Sequence, residues 1–480
     1  MASRSNVRFW AFNAGLWLFL IFTTQYFSQS PGVQARFQDD SDALVNAKIL
    51  AELSISDELQ QFGGFLHIYN PDAATYSSYL SQAGFQGTLL HYTYQLVQPI
   101  LSAEAFLGIM RIGNALLFIV LLLVITFHTL GKHGLRTVAI AVSMLSLFGW
   151  ITYFSTSLYW QIWGQFLPFV IAFLLYPRVL NRKLSFAAYC LILGALILFK
   201  ALSGYEYITN VIAAPSVAVV YYGFREKIPL RSIGLQVIAI GIAGVVAFAI
   251  AFGLHLLQGS AYLGGSLQDM INVIASRASV RTFGEIPAQC NQEGMISTSV
   301  EYMINVPFLP YRIFSPIILL FAAALLQSGL LFFAGTPWAS RVMSFLFSKL
   351  GRTTLFAFLA LLVVATSAFL VITFSFPVLI GWLFLISGTA LVTLLAYRLS
   401  RRPESTGTSS QADDIRALAV ATAYSIPVSL TWLILATGHS ACHFHINAIT
   451  LFLPFGLMFA YLTALFLTRG HIFVGQSRRS

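Results

Sequence analysis

The chain has 480 residues, of which 58% are hydrophobic and only 9% are charged, and its mean hydropathy is +0.78. Ordinary soluble domains do not sustain such an apolar composition over this length, so the composition excludes that class. The net charge of +10 would also suit nucleic acid, but most of the 27 Lys and Arg residues fall in short links between apolar runs. Because basic links are typical of membrane topology, the sequence predicts a membrane protein without a nucleic-acid partner.

Apolar runs of roughly 18 residues or more recur along the chain and do not alternate as barrel strands would. They predict an all-α polytopic membrane helix bundle of about twelve spans, since helices satisfy their own backbone in lipid. The first run, 9–27, lacks a convincing cleavage site and is predicted to be an uncleaved span. The remaining spans are predicted near 105–127, 137–155, 160–177, 184–200, 207–223, 232–256, 312–334, 353–374, 376–397, 417–436 and 446–467.

The links on one side of these spans hold most of the basic residues and only four of the 17 acidic residues. The positive-inside rule therefore predicts that both termini are cytoplasmic and that two long loops, 28–104 and 257–311, are external. Within the cytoplasmic link 398–416, the polar run 401–414 predicts a flexible connection with no further role. The chain is treated as a single membrane domain, 1–480.

The first long loop is too apolar and aromatic to be disordered. Its sequence predicts a helix over 42–53 with Ala43, Leu44, Ala47, Leu50 and Ala51 on one side. A turn at Asn70-Pro71-Asp72, a helix over 73–83 closed by Gly84, and an amphipathic helix over 87–100 lying in the membrane interface are predicted to follow.

Three carboxylates, Asp39, Asp40 and Asp42, occupy four positions shortly after the first span. A solvated loop with a helix N-cap would explain Asp42, because a first-turn carboxylate meets the helix dipole favourably. Two further acids directly before it exceed what a cap needs. Asp39 and Asp40 are therefore candidates for a general base or for holding a divalent metal ion.

Other polar side chains fall in the external turns or near the same ends of the spans, where they are costly unless they have a role. The candidates are Gln82, Arg111, Tyr159, Trp160, Lys200, Glu206, Arg277, Arg281, His439, His443 and His445. The arginines would bind an anion such as phosphate, or make ordinary loop salt bridges. The histidines would hold a metal, hydrogen-bond a phosphate or hydroxyl, or simply pack.

Several of these features have structural alternatives that the sequence leaves open. Lys200 and Glu206 also fit a snorkelling lysine and an interfacial ion pair. Tyr159 and Trp160 also fit the aromatic belt of a membrane protein. Cys290 and Cys442 fall in predicted external segments and are either a disulfide or two unpaired residues.

An acidic pair that opens a long external loop after one span resembles the GT-C superfamily of integral-membrane glycosyltransferases. The stretches 76–87 and 438–447 are similar to segments of uncharacterised bacterial members. The resemblance implies a polyprenyl-phosphate sugar donor, a glycan or lipid acceptor, and a bacterial inner membrane with the site facing the periplasm. It also implies Asp39 as the catalytic base, with Asp40 beside it in a positioning or metal-related role.

These features together predict an inverting glycosyltransferase that works on lipid-linked sugars. The departing phosphate would be met by some of Arg111, Lys200, Arg281, His439 and His443, while Gln82, Tyr159 and Trp160 would line the sugar pocket. A transporter or lipid-linked sugar flippase is the first rival, although transporters keep ionisable groups near the midplane, where these spans have few. A polysaccharide polymerase is the second rival, and it would not need the acidic pair.

Overall fold

The computed structural model describes residues 14–15, 18–19, 41–51, 55–146, 154–282, 409–436 and 448–469. Within these ranges the chain is mostly helical, and four helices are long and apolar enough to cross a membrane. They are Ala103–His133, Ile162–Leu180, Phe186–Ser203 and Leu230–Leu263. The structure therefore supports the prediction of an all-α protein with membrane-length helices. Twelve spans stay a prediction, because the run 9–27 lies mostly, and the three runs between 312 and 397 lie entirely, outside the described residues.

The elements follow one another in a regular order. The first loop contains α1 (Ser41–Leu50), α2 (Ile55–Phe62), β1 (Leu66–Asn70), β2 (Thr75–Tyr79) and α3 (Phe85–Val97). The long helices and their neighbours are α4 (Ala103–Leu130), α5 (Leu135–Ser146), α6 (Ile162–Leu180), α7 (Phe186–Ser203), α8 (Ile208–Ala213), α9 (Ser216–Arg225), α10 (Leu230–Leu263), α11 (Leu267–Thr282), α12 (Ser409–Leu435), α13 (Ala448–Leu451) and α14 (Leu457–Arg469). The apolar core lies mainly between α4, α6, α9, α12 and α14.

The predicted helix over 73–83 is wrong, because this stretch contains the second strand of a hairpin. β1 and β2 pair antiparallel from Leu66 opposite Tyr79 to Asn70 opposite Thr75, and the predicted Asn-Pro-Asp turn joins them. Tyr and Thr suit a pleated surface, and the Tyr69 and Tyr76 rings meet across the pair at 5.0 Å. The partner strand, which no local helical pattern reveals, decides the conformation.

The helix at the start of the first loop is confirmed, but it ends at Leu50, and its buried face matches the predicted one only in part, since Ala47 is buried. Ala43 and Leu50 are exposed, while Val45, Ile49 and Lys48 are buried. Lys48 is buried because its ammonium donates to the carbonyl oxygens of Gly64 at 2.9 Å and Phe65 at 2.7 Å. A charged side chain thus ties α1 to the start of the hairpin, which the apolar pattern alone could not predict.

Two predicted spans are interrupted in the structure. The span over 207–223 is divided between α8 and α9, with Pro215 at the break. The last span is interrupted at Leu453, whose φ of −105° and ψ of 113° are not helical. The side-chain amide of Asn210 in α8 donates to the carbonyl oxygen of Thr450 at 2.9 Å, so the two interrupted helices contact each other.

Part of the predicted second long loop is helical instead. The span predicted to end near 256 continues to Leu263, and α11 follows after the left-handed Gly264. A helix of 34 residues measures about 51 Å, which exceeds the roughly 30 Å hydrocarbon core of a bilayer. We therefore expect the end of α10 to extend beyond the apolar layer and to support the first loop.

The link predicted to be flexible over 401–414 becomes helical at Ser409, and its acidic residues have partners. Asp414 lies 2.6 Å from Lys132 Nζ and 2.8 Å from Arg225 Nε, and Asp413 lies 3.2 Å from Lys227 Nζ. We call these five residues the ion cluster. It holds the start of α12 against the ends of α4 and α9, so this part of the link does more than connect spans.

Candidate functional site

Asp42, in the first turn of α1, binds the turn that precedes α6. Its Oδ1 accepts hydrogen bonds from Ser157 Oγ at 2.7 Å and from the backbone N–H of Tyr159 at 3.0 Å. Ser157 Oγ in turn accepts from the backbone N–H of Trp160 at 3.1 Å. Asp42 is therefore more than an N-terminal helix residue, because it anchors the first loop to the long helices.

Arg111 lies beside this anchor on the third turn of α4. Its Nη2 donates to Asn46 Oδ1 at 3.1 Å, and its Nε lies 3.6 Å from Asp42 Oδ2. The side chain is 36% exposed, so Arg111 is accessible from the surface. Since arginine carries five N–H donors in a fork, the group retains donors for an anion that approaches from outside.

Tyr159 connects the anchor to a second short turn, between α7 and α8. Its hydroxyl donates to Glu206 Oε1 at 2.8 Å, while its backbone binds Asp42. Trp160 is buried, and its ring packs against Tyr159 and Tyr207 at centroid distances of 5.0 and 5.5 Å. The structure thus brings Tyr159 and Glu206 together, and the Trp160 ring packs against Tyr159.

Lys200 lies in the last turn of α7, next to the same short turn, and is buried. Its ammonium donates to the carbonyl oxygen of Gly204 at 3.1 Å. Within the described part of the chain, no carboxylate lies within 4.0 Å of this ammonium, so the predicted ion pair with Glu206 is not a direct contact. Lys200 is neither snorkelling to the surface nor closely paired.

Gln82 is brought to this turn by the loop after the hairpin. It is 1% exposed, and among the described residues neither its Nε2 nor its Oε1 has a hydrogen-bond partner. Gln82 Oε1 and Glu206 Oε2 both lie against Gly204, since a Cβ added there would come within 2.5 Å of the first and 2.7 Å of the second. Asp42, Gln82, Arg111, Tyr159, Lys200 and Glu206 together form what we call the loop-side site.

The loop that carries Gln82 is held firmly. Gln258 on α10 donates through Nε2 to the carbonyl oxygens of Gly63 at 2.9 Å and Ala83 at 3.2 Å. Gly84 has a φ of +71° and lies close to the backbone of Leu66, where a Cβ would be crowded. The position of Gln82 is therefore fixed from both sides.

The turn that carries Glu206 is equally constrained. Tyr205 OH and His255 Nδ1 are 2.8 Å apart, which joins the turn to α10. Burial, and then the charge of Glu206, raises the pKa of Tyr205, so its hydroxyl stays protonated at all physiological pH values. Gln161 and Tyr207 adopt left-handed φ values of 41° and 61° directly before α6 and α8. Strained backbone of this kind persists where the surroundings hold it, often at functional sites.

Sequence reasoning missed three polar side chains around the site. Lys48 and Asn114 hold its framework, since Asn114 donates to Ser157 O at 2.7 Å and accepts from Trp163 Nε1 at 2.9 Å. Gln86 on α3 is 1% exposed and has no hydrogen-bond partner in the described part of the chain. The only available signal was a polar residue within an apolar face, which does not distinguish a framework residue from a binding residue.

The remaining candidates lie outside the part of the chain that can be described. Asp39, Asp40, His439, His443 and His445 lie outside the described residues, as do Cys290 and Cys442. Arg281 is in the last turn of α11, but its side chain, like that of Arg277, is not described. Among the described residues, no three His, Cys, Asp or Glu side chains converge as metal ligands.

Comparisons with known proteins do not identify a family for this chain. No family model matches it, and no curated protein or solved structure is significantly similar to it. The class that the fold defines is therefore a helical protein with membrane-length helices and a polar site where the first loop meets them.

Proposed function

We propose that this protein is an inverting membrane glycosyltransferase of the GT-C type. It transfers a sugar from a polyprenyl-phosphate donor to a cell-envelope glycan or lipid acceptor at the external membrane face. The observation that carries the proposal is the loop-side site, where polar side chains from the first loop, two short turns and α4 meet at one end of the apolar helices. A lipid-linked substrate enters sideways from the bilayer, so its enzyme needs polar groups at that level.

The proposed reaction is a single displacement. The acceptor hydroxyl gives its proton to the carboxylate of Asp39, with Asp40 beside it, and its oxygen forms a bond to the anomeric carbon. The bond between that carbon and the lipid phosphate breaks, and its electron pair leaves with the phosphate oxygen. Arg111 supports this step, because its partly exposed guanidinium suits the phosphate that departs.

Asp42 supports the proposal through position. It lies two residues after Asp40 in the sequence and is bound to Ser157 and Tyr159. Asp39 and Asp40 precede this anchor by three and two residues in the sequence, and the proposal assigns them the role of base beside Arg111. Fixed placement of reacting groups supplies a large share of the rate in displacement reactions.

Mass spectrometry of envelope glycans and lipid-linked sugars tests the proposal. Cells with the intact gene are compared with a deletion strain and with the deletion rescued by the double variant Asp39→Asn, Asp40→Asn at equal membrane abundance. Asp72→Asn, in the exposed hairpin turn, is the matched control. We expect one sugar to vanish from a glycan in both defective strains while its lipid-linked donor persists. A normal glycan in the double variant would overturn the role of the pair.

The stereochemistry of the product provides a separate check. A single displacement inverts the anomeric configuration of the donor, which NMR coupling constants of the product report. Retention would exclude this mechanism even if sugar transfer itself were found.

A transporter or lipid-linked sugar flippase is the second candidate, and one observation favours it. α8–α9 and α13–α14 are interrupted, and the hydrogen bond from Asn210 to Thr450 joins them. Interrupted helices that face each other form substrate sites in many transporters. Flipping of a fluorescent lipid-linked sugar in proteoliposomes, with normal rates in the Asp39/Asp40 double variant, would favour this alternative.

A further inference from the structure

The turn around Gly204 leaves an unusual amount of buried hydrogen-bonding capacity unused. The Gln82 amide, 1% exposed, makes no hydrogen bond to any described residue through either of its polar atoms. Buried amides in native proteins are nearly always hydrogen-bonded, since a buried polar group without a partner destabilises the folded state. A buried amide without a protein partner is expected where a bound ligand supplies the missing hydrogen bonds.

Lys200 adds donors at the same place. Its ammonium is 2% exposed and donates to Gly204 O at 3.1 Å. An ammonium has three donors, and among the described residues Lys200 has no hydrogen-bond acceptor besides Gly204 O. Glu206 contributes acceptor oxygens at the same residue, since its Oε2 and Gln82 Oε1 both lie within 2.7 Å of the position that a Cβ of Gly204 would occupy.

Phosphate does not suit this arrangement. The Glu206 carboxylate and the Gln82 carbonyl oxygen both face Gly204 and would repel an anion. A hydroxyl group both donates and accepts, so adjacent hydroxyls on one ring can accept from Lys200 and Gln82 Nε2 while they donate to Glu206 and Gln82 Oε1. A polyhydroxylated ligand is thus the chemical class that completes these groups.

We infer that Gln82, Lys200 and Glu206 around Gly204 form a subsite for vicinal hydroxyls of a sugar ring. Lys200 thereby recognises the sugar instead of the departing phosphate, which is left to Arg111. The inference rests on the proposed function, because it names the part of that site that selects the sugar. Tyr159, bonded to both Asp42 and Glu206, separates the two halves of the site.

Gly204 permits a direct test by steric blocking. Its φ of 171° is extended backbone that any residue adopts, so Gly204→Ala places a methyl group between Gln82 and Glu206 without backbone strain. Gly241→Ala on α10 is the matched control, since a Cβ there meets nothing within 4 Å. Gln82→Leu removes the amide at similar volume.

The experiment is saturation-transfer NMR on the purified full chain in lipid nanodiscs, with free hexoses, hexosamines and pentoses as probes and inorganic phosphate as a competitor. We expect the wild type and Gly241→Ala to bind at least one sugar. Gly204→Ala and Gln82→Leu should weaken that binding at least 10-fold. Inorganic phosphate should not compete with the sugar. Wild-type binding in Gly204→Ala and Gln82→Leu, competition by phosphate, or no binding of any probe sugar to the wild type would overturn the subsite.

Failure of this inference is distinguishable from failure of the proposed function. Sugar binding is measured without transfer, so a subsite that binds sugar in a chain that transfers none favours the transporter. If Gly204→Ala transfers the same sugar at the normal rate, the proposed transferase function stands, but the sugar is recognised by residues other than those around Gly204.

Discussion

The loop-side site and the ion cluster lie at opposite ends of α4, because Arg111 and Lys132 are 21 positions apart on one helix and its short extension. In the ion cluster, Asp414 is 4% exposed and lies within 3 Å of two cations. In the loop-side site, Glu206 accepts from the hydroxyl of Tyr159, and Gln82 has no hydrogen-bond partner within the described ranges. The contrast suggests that the ion cluster stabilises helix packing, whereas the loop-side site keeps hydrogen-bonding capacity for a ligand.

The largest effect is expected in the ion cluster. Asp414→Asn should lower the free energy of unfolding by about 2–4 kcal/mol, because two cations lose their buried partner; the lower part of the range allows for their partial exposure. Asp413→Asn should change it by less than about 1 kcal/mol, since its partner Lys227 is half exposed. Thermal unfolding of the purified protein, followed by tryptophan fluorescence, measures both. Equal decreases in the melting temperature of the two variants would contradict the larger contribution expected for Asp414.

A smaller loss is expected where the first loop is tied down. Lys48→Met should lower the free energy of unfolding by about 1–3 kcal/mol, because the carbonyl of Phe65 loses its buried donor. Lys227→Met serves as the control and should have little effect. Hydrogen exchange adds a local readout, since the Lys48 variant should lose protection in the hairpin first. Unchanged protection there would show that the ammonium does not hold the loop.

Two buried amides provide the sharpest comparison of satisfied with unsatisfied groups. Asn114→Leu should destabilise the fold by about 1–2 kcal/mol, because both of its hydrogen bonds are made. Gln82→Leu should be neutral or stabilise it by about 1 kcal/mol in the absence of ligand, because an unpartnered amide is removed. The melting temperatures of the two variants, compared with that of the wild type, measure these changes in stability. A loss of stability in Gln82→Leu that equals that of Asn114→Leu would mean that Gln82 is structural.

The smallest change in stability is expected at Arg111. Arg111→Lys should alter the free energy of unfolding by less than about 1 kcal/mol, because the side chain is one-third exposed. It should nevertheless slow sugar transfer about 10-fold, since lysine cannot bind phosphate in the forked geometry of arginine. Turnover of a lipid-linked sugar donor, measured beside Arg225→Lys in the ion cluster, separates the two roles. Comparable transfer by Arg111→Lys and the wild type would remove Arg111 from the proposed phosphate contact.

Much of the framework follows from the sequence. The four long apolar helices were predicted within a few residues at most ends, because an apolar run in lipid has no alternative to helix. The face of α1 and the hairpin were not predicted correctly. In both cases the deciding contacts, from Lys48 to Gly64 and from β1 to β2, join residues that local periodicity does not relate.

Apolar runs and the polar residues at their ends predict a helical membrane protein, the positions of its long helices and a set of candidate site residues. Which of those residues meet depends on the tertiary structure. It joined Asp42 to Ser157, which is 115 positions away, and placed Gln82 beside Glu206 across Gly204. The physical reason is that apolar runs determine helices locally, whereas the partners of a buried polar group are chosen by packing between distant segments.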